Sequence, residues 1–95
     1  MTHRQIPSDP YPFPHEISDR ELMAAVRVPS RVGEVPNLAV FIGRDPLAPA
    51  SRAFCVWDAA VRDGEWTVFS GEYDLPYPQA VAEFMARTAA FREDL

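Results

Sequence analysis

The stretch RAFCVWDAAVRDGEWTVFSG, residues 52–71, decides the predicted fold. Asp63-Gly64 at its middle is a favoured two-residue type I′ turn, because both residue types tolerate positive φ. Taking it as the turn fixes the register of the two flanking strands. The expected facing pairs are Arg62 with Glu65, Val61 with Trp66, Ala59 with Val68, and Trp57 with Ser70. The sequence therefore predicts a β-hairpin.

Side chains of a strand alternate between its two faces. In this register one face of the hairpin carries only uncharged side chains, whereas Asp58 and Arg62 lie on the other. We therefore expect the first face to meet the core, since a slip by one residue would bury both charges. That face consists of Cys55, Trp57, Ala59, Val61, Trp66 and Val68.

Two further elements flank the hairpin. Residues 38–42 form a continuous apolar run whose β-branched content predicts a strand buried on both faces. After the hairpin, apolar residues recur at helical spacing from Val81, and Pro78 suits the first helical position. We expect this helix to run to about residue 93 and to cover the face that carries Trp57 and Trp66.

The segment before the apolar strand has the pattern of a helix start. Ser18 at the N-cap and Glu21 three residues later form a capping box, and Val28 precedes a proline that disfavours helix there. A short helix over residues 19–28 is therefore predicted. Upstream, Pro7, Pro10, Pro12 and Pro14 block regular structure.

The expected organisation is a Pro-rich extended arm (residues 1–16) and a single α+β domain (residues 17–95). The expected fold is a three-stranded antiparallel β-meander packed against a C-terminal amphipathic helix, with a short N-terminal helix. Tyr11 and Phe13 should lie over the protein's own core and hold the arm in place.

Composition limits the classes of function. The 95 residues carry a net charge of −5, and all nine basic residues are Arg. This acidic balance disfavours binding to nucleic acid, which needs clustered cations. The Arg usage suggests a GC-rich bacterium or its phage. No apolar run approaches the ~18 residues of a membrane helix, and with one cysteine and no secretory signal the expected location is the cytoplasm.

Few residues suggest chemistry. His15 and Glu16 are candidates because histidine can act as a general base near neutral pH. However, no nucleophile lies at a recognisable spacing from them. Cys55 alternates with Trp57 on the expected core face, which favours an inert buried thiol. Asp58, Glu72 and Asp74 could gather near one end of the sheet, yet their spacing matches no metal loop. We expect no cofactor, no metal and no enzymatic activity.

The favoured function is that of a small non-enzymatic accessory or regulatory protein acting by protein–protein interaction. An exposed apolar strand needs a cover, which could be the arm or the same strand of a second copy. Pairing of residues 38–42 across a two-fold axis would make a homodimer, which we expect. The candidate interaction residues are Tyr11, Phe13, Leu38, Val40, Phe41 and Ile42.

Two alternatives stay open. The first is a small-molecule pocket or minor enzyme site between sheet and helix, lined by Trp57, Trp66, Phe84 and Met85. The second is a nucleic-acid-binding regulator, which would require the nine arginines to gather on one face. The arginines that could cluster are those of the first half of the chain, namely Arg4, Arg20, Arg27, Arg31 and Arg44.

Overall fold

The computed structural model describes residues 11–28 and 38–93, the last three by backbone alone. The elements are β1 (Glu16–Ile17), β2 (Arg20–Arg27), β3 (Leu38–Arg44), a 3-10 turn (Ala50–Arg52), β4 (Phe54–Arg62), β5 (Glu65–Leu75) and α1 (Tyr77–Glu93). The strands form one five-stranded antiparallel sheet in sequence order. The predicted three-stranded meander with a short N-terminal helix is wrong: the described residues are mixed in content but mostly β, and they form a curled five-stranded sheet with one C-terminal helix.

The central hairpin is confirmed. Asp63 and Gly64 have φ of 53° and 83°, as a type I′ turn requires. Three predicted pairs form, namely Arg62 with Glu65, Val61 with Trp66, and Ala59 with Val68. The fourth pair, Trp57 with Ser70, is wrong because β5 carries an extra residue at that point.

Two β-bulges lengthen and bend β5. The register against β4 shifts once near Ser70 and again near Asp74, where φ is 53° and 60°. Each bulge inserts one unpaired residue and increases the local twist. The strand therefore continues to Leu75 and curls. No simple sequence pattern marks either bulge.

The predicted helix over residues 19–28 is wrong, because this segment is strand β2. Ser18 and Asp19 have φ of 52° and 63° and form a tight turn that pairs Ile17 with Arg20. Ser and Asp favour turns as well as helix N-caps. A helix this short has little stability of its own, whereas pairing along β3 satisfies the backbone of β2.

The core has two halves, one on each face of the sheet. The inner face holds buried Ala39, Phe41, Cys55, Trp57 and Ala59, with half-buried Phe13, Ile17, Leu22, Ala25, Trp66 and Val68 packed against them. The helix face holds buried Val40, Ile42, Ala53, Phe54, Val56 and Ala80, with Ala48, Leu75, Val81 and Phe84 packed against them. The predicted grouping of Cys55 with both tryptophans is thus confirmed.

The predicted position of the C-terminal helix is wrong. α1 begins at Tyr77 and ends at Glu93, close to the expected bounds, but Val81 and Phe84 pack on the helix face. The curl of the sheet and the arm fill the inner face with the chain's own side chains. Among the described residues, no helix combines the length and apolar character needed to cross a bilayer.

Candidate functional site

An open apolar cleft lies where α1 meets the sheet beside β2. Its volume is about 330 Å³. Three large side chains around it are partly in solvent: Met23 is 45% exposed, Tyr77 51% and Met85 63%. We call this feature the methionine cleft; its lining is Met23, Ala24, Ile42, Tyr77, Val81, Phe84 and Met85.

A register shift in β2 supplies one wall of the cleft. Leu22 pairs with Gly43 and Ala24 pairs with Ile42, so Met23 is an extra residue between the two pairs. A bulge of this kind redirects a side chain, and Met23 lines the helix side of the sheet. Buried Ile42 forms the floor.

The helix supplies the opposite wall. Tyr77, Val81, Phe84 and Met85 follow one another at spacings of four, three and one residues, which places them along one side of α1. Val81 and Phe84 are half-buried on the core. Met85 lies at the edge of this stripe and is exposed. The helical spacing predicts that Met85 is buried together with Val81 and Phe84. The prediction is correct for Val81 and Phe84 but wrong for Met85.

The pocket predicted from Trp57, Trp66, Phe84 and Met85 does not form. Both tryptophans belong to the inner face, whereas Phe84 packs on the helix face. The sheet therefore separates the two halves of the predicted lining.

The inner face is closed by contacts between the two ends of the sheet. Trp57 is fully buried, and its indole Nε1 donates a 2.8 Å hydrogen bond to the hydroxyl of Tyr73. The guanidinium of Arg20 lies 5.1 Å from the centre of the Tyr73 ring. Because Arg20 belongs to β2 and Tyr73 to β5, the curl brings strands together that are not neighbours in the sheet.

The arm covers the rest of the inner face. The Phe13 ring packs against Phe41 and Trp66 with centroid distances of 5.5 and 5.3 Å. Trp66 Nε1 donates a 3.0 Å hydrogen bond to the carbonyl of Pro12. The expectation that Phe13 holds the arm on the core is confirmed for the described part of the arm.

Arg27 fastens the arm from the side of β2. Its guanidinium lies 4.1 Å from the centre of the Phe13 ring, and Nη2 donates to the carbonyl of Tyr11. Its other terminal nitrogen, Nη1, is buried without a hydrogen-bond partner among the described residues. Burial lowers the pKa of Arg27.

A second groove, of about 400 Å³, lies between the arm and the turn of the central hairpin. Its lining includes two acidic residues, Glu16 and Glu65, and Trp66. Arg27 lies only 5.8 Å from the centre of the Trp66 ring, which is also in contact with Phe13. Arg27 is not one of the lining residues, so the charged side chains of the groove itself are the two glutamates.

Arg87 joins α1 to the two long strands. Nε donates to Glu83 at 2.7 Å and Nη1 to Asp58 at 3.1 Å, while Nη2 lies 3.9 Å from the Glu72 carboxylate. Burial lowers the pKa of Arg87, but the hydrogen bonds and negative charges of Glu83 and Asp58 outweigh it and raise the pKa. Asp58 and Glu72 thus meet at an arginine, and Asp74 lies at the second bulge of β5.

Cys55 is buried on the inner face, as predicted. Desolvation raises the pKa of its thiol from 9.0 to about 11. A thiol with so high a pKa is a poor nucleophile at neutral pH, because only the thiolate reacts.

The other candidates do not form a catalytic group. His15 and Glu16 are both exposed, and the backbone carbonyl of His15 accepts a hydrogen bond from Leu22. In the part of the chain that the structure describes, no three His, Cys, Asp or Glu side chains are placed to hold a metal ion.

The arginines of the first half have separate roles. Arg20 and Arg27 stack on aromatic rings of the inner face, and Arg44 is 3.4 Å from Glu21. Arg4 and Arg31 lie outside the described residues. Each of the three described arginines of this half therefore contacts an aromatic ring or a carboxylate of the chain itself.

The predicted interaction residues do not form one surface. Tyr11 and Leu38 are exposed, Phe13 is half-buried, and Val40, Phe41 and Ile42 are buried. β3 pairs with β2 on one side and β4 on the other. Strand pairing between two copies therefore has no free edge in β3 to use, and Ile42 is the one residue of the predicted set that reaches the methionine cleft.

Comparison with known proteins identifies no relative: no family model, curated protein or solved structure matches this chain.

Proposed function

We propose that the chain is a small non-enzymatic accessory or regulatory protein that binds another protein through the methionine cleft. The observation that carries this proposal is the convergence of Met23, Tyr77 and Met85, each about half in solvent, on one cleft. Single exposed apolar residues are common, but a contiguous exposed apolar patch marks a site of interaction.

The chemistry of the lining favours a protein over a small polar molecule. Sites for small molecules combine apolar walls with several placed polar groups that fix orientation. The side chains of the methionine cleft are uncharged, and the Tyr77 hydroxyl is the polar group that they offer. Such a surface suits apolar anchor side chains, which bind by loss of water-exposed area.

Two methionines in the walls support the same conclusion. The methionine side chain is unbranched and polarizable, so it adapts to different partner surfaces. Met23 and Met85 stand on opposite walls of the cleft, one on the sheet and one on the helix. A cytoplasmic location is part of the proposal, supported by the single free cysteine, Cys55.

Site-specific photo-cross-linking tests the proposal. A photoreactive amino acid is placed at Met85 in one variant and at Leu47 in the other. Leu47 is a matched control because it is 93% exposed and apolar but lies outside the cleft lining. In lysate of the source organism, we expect the variant with the photoreactive residue at position 85 to form a cross-linked adduct with a partner protein. The variant at position 47 should not form this adduct.

The captured protein is then identified, purified and titrated against the unmodified chain. We expect Met85→Ser to weaken this binding by at least about fivefold, as for a contact of roughly 1 kcal/mol, and Leu47→Ser to leave it unchanged. Equal binding by both variants, or the same adducts from both positions, would contradict the proposal.

A further inference from the structure

The arm is held on the inner face in the manner of a bound peptide. It bridges Arg27 on β2 and Trp66 on β5. Arg27 Nη2 donates a hydrogen bond to the carbonyl of Tyr11. Trp66 Nε1 donates to the carbonyl of Pro12 at 3.0 Å. Both acceptors belong to the main chain, so another extended segment could supply them equally well.

One side chain anchors this part of the arm. The centre of the Phe13 ring is 5.5 Å from that of Phe41 and 5.3 Å from that of Trp66. The guanidinium of Arg27 lies 4.1 Å from the centre of the same ring. The two residues before Phe13 are exposed. We call the pocket formed by Arg27, Phe41 and Trp66 the arm site; its rings and its cation suit a flat aromatic side chain.

Proline sets the backbone form that the arm site accepts. Pro12 and Pro14 flank Phe13, and each fixes its own φ and keeps the residue before it extended. A proline-rich segment of this kind is already ordered before it binds, and aromatic grooves are a recurring site for such segments. The pattern that fits the arm site is therefore Pro-aromatic-Pro.

The arm leaves one group of the site unmatched. Arg27 Nη1 is buried without a hydrogen-bond partner among the described residues. Such groups are rare, because the donor has lost its water and gained nothing in exchange. The ion pairs of the described residues involve Arg44 and Arg87 but not Arg27. Burial lowers the pKa of Arg27, as expected for a desolvated cation.

We infer that the arm site binds a Pro-aromatic-Pro segment of another protein that carries a carboxylate for Arg27, and that the arm occupies this site as an intramolecular competitor. The arm supplies the ring and both carbonyls but leaves Nη1 without an acceptor. A glutamate in place of Tyr11 belongs to the residue whose carbonyl Nη2 already binds. Its carboxylate suits the planar fork of the guanidinium.

The nearest carboxylates of the chain do not cancel this preference. Glu16 and Glu65 line the groove beside the arm, and both are exposed, so water and salt screen their charge. Arg27 Nη1 is shielded from water, where the attraction between opposite charges is stronger.

A second copy of the chain is a less suitable occupant than a partner protein. Its arm would present the same Tyr11 and would leave Nη1 equally unmatched. It would also compete with an arm that is already tethered and therefore present at a high effective concentration. A partner segment with a carboxylate has an advantage that the arm of a second copy lacks.

Peptide titration of the full chain tests the inference. The probe is the hexapeptide Ser-Glu-Pro-Phe-Pro-Ser with blocked ends, and the readout is the indole N–H signal of Trp66. We expect a saturable shift of Trp66, while the indole of Trp57, bonded to Tyr73, stays unchanged. Phe13→Ala weakens the competing arm and should bind the probe about fivefold more tightly than the parent chain, because a larger fraction of the site is open.

Absence of a saturable Trp66 shift in Phe13→Ala would overturn the site. Equal affinity of Phe13→Ala and the parent chain would overturn the role of the arm as a competitor. Concentration-dependent shifts of Trp66 without peptide would identify the arm of a second copy as the occupant and overturn the partner segment.

Matched peptides separate the ring from the carboxylate. On Phe13→Ala, replacing Phe of the probe by Ser should weaken binding at least about tenfold, as for loss of an anchor side chain. Replacing Glu by Gln should weaken it about fivefold, because a charge-assisted hydrogen bond becomes a neutral one. Equal binding of the Phe and Ser peptides would overturn the aromatic pocket, and equal binding of the Glu and Gln peptides would overturn the carboxylate.

Protein variants assign the carboxylate to its partner. Arg27→Gln should remove the preference for the Glu peptide, whereas Arg44→Gln, which alters an arginine 3.4 Å from Glu21, should keep it. The Glu and Gln peptides decide the point on Phe13→Ala if Arg27→Gln does not fold. Met85→Ser should leave probe binding unchanged, because the methionine cleft is on the other face of the sheet. Failure of this inference therefore leaves the proposed function to its own test.

Discussion

The two faces of the sheet are completed in different ways. On the inner face, the curl of β2 and β5 and the arm enclose Trp57, whose indole nitrogen also has a partner. On the helix face, a single helix covers β3 and β4 and leaves the methionine cleft open beside β2. The comparison shows that this chain covers the centre of one face, around Trp57, with its own residues and leaves apolar side chains partly exposed beside the helix on the other.

The largest expected effect breaks the closed face. Trp57→Ala removes the largest fully buried side chain and the hydrogen bond to Tyr73. We expect the free energy of unfolding to fall by about 3–5 kcal/mol, the usual cost of a large cavity. Urea titration followed by circular dichroism measures it; a loss below about 1 kcal/mol would contradict close packing of this face.

A smaller effect is expected from crowding the same face. A Cβ at Gly43 would lie 2.8 Å from the Trp57 ring, so Gly43→Ala forces the two apart. Overpacking of this kind costs about 1–3 kcal/mol. Gly64→Ala is not a suitable control because Gly64 has φ of 83°. Ala24→Ser, at an exposed position of the neighbouring strand, is better and should be near neutral.

The pH dependence of stability reports the burial of Cys55. Its pKa is raised from 9.0 to about 11 in the folded chain, so the folded state favours the neutral thiol. The stabilisation is fully present below pH 9 and is lost as pH rises through about 11. Cys55→Ala should lose less stability over this range than the parent chain.

The same group gives a simple chemical readout. At pH 8 a thiol reagent should react with the folded chain far more slowly than with the urea-unfolded chain. Equal rates in both states would show that Cys55 is accessible and would contradict the closed inner face.

The arm should contribute less than the sheet itself. Phe13 is half-buried against Phe41 and Trp66, so Phe13→Ala is expected to cost about 1 kcal/mol, roughly half of the value for a fully buried phenylalanine. Iodide should then quench Trp66 more strongly and leave Trp57 protected. Strong quenching of both indoles before the substitution would refute the assignment of Trp57 to the closed face.

The smallest expected effect sharpens the contrast with the open face. Met85 is 63% exposed, so Met85→Gln should change the free energy of unfolding by less than about 0.5 kcal/mol. The same urea titration checks this value. A loss comparable to that of Phe13→Ala would mean that Met85 serves the core and is not available to a partner.

Local signals explain which parts of the fold the sequence predicts. The Asp63-Gly64 turn has a distinctive residue pair, the run in β3 is continuous, and α1 keeps a helical period from Val81 onward. Each signal lies within one element or between neighbours. For that reason the hairpin turn, the central strand and the last helix are predicted nearly correctly, whereas β5 runs to Leu75, four residues beyond the predicted end at Gly71.

The errors arise where one pattern has two physical meanings. Ser18-Asp19 suits a helix start and a tight turn equally well, and pairing with β3 decides between them. The methionine cleft has no signal of its own. The helical period of α1 can be read from the sequence and assigns Met85 to the apolar stripe. That Met85 lies at the exposed edge of this stripe depends on which strands the helix covers, and this is visible only in the structure.

The bulges at Ser70 and Asp74 have a consequence for solubility. β5 is the terminal strand of the described sheet and, at 11 residues, its longest. A long straight terminal strand is a template for cross-β aggregation. The two left-handed residues interrupt its row of backbone donors and acceptors, so we expect that a neighbouring molecule pairs less readily along its full length and that fibril growth from this strand is disfavoured.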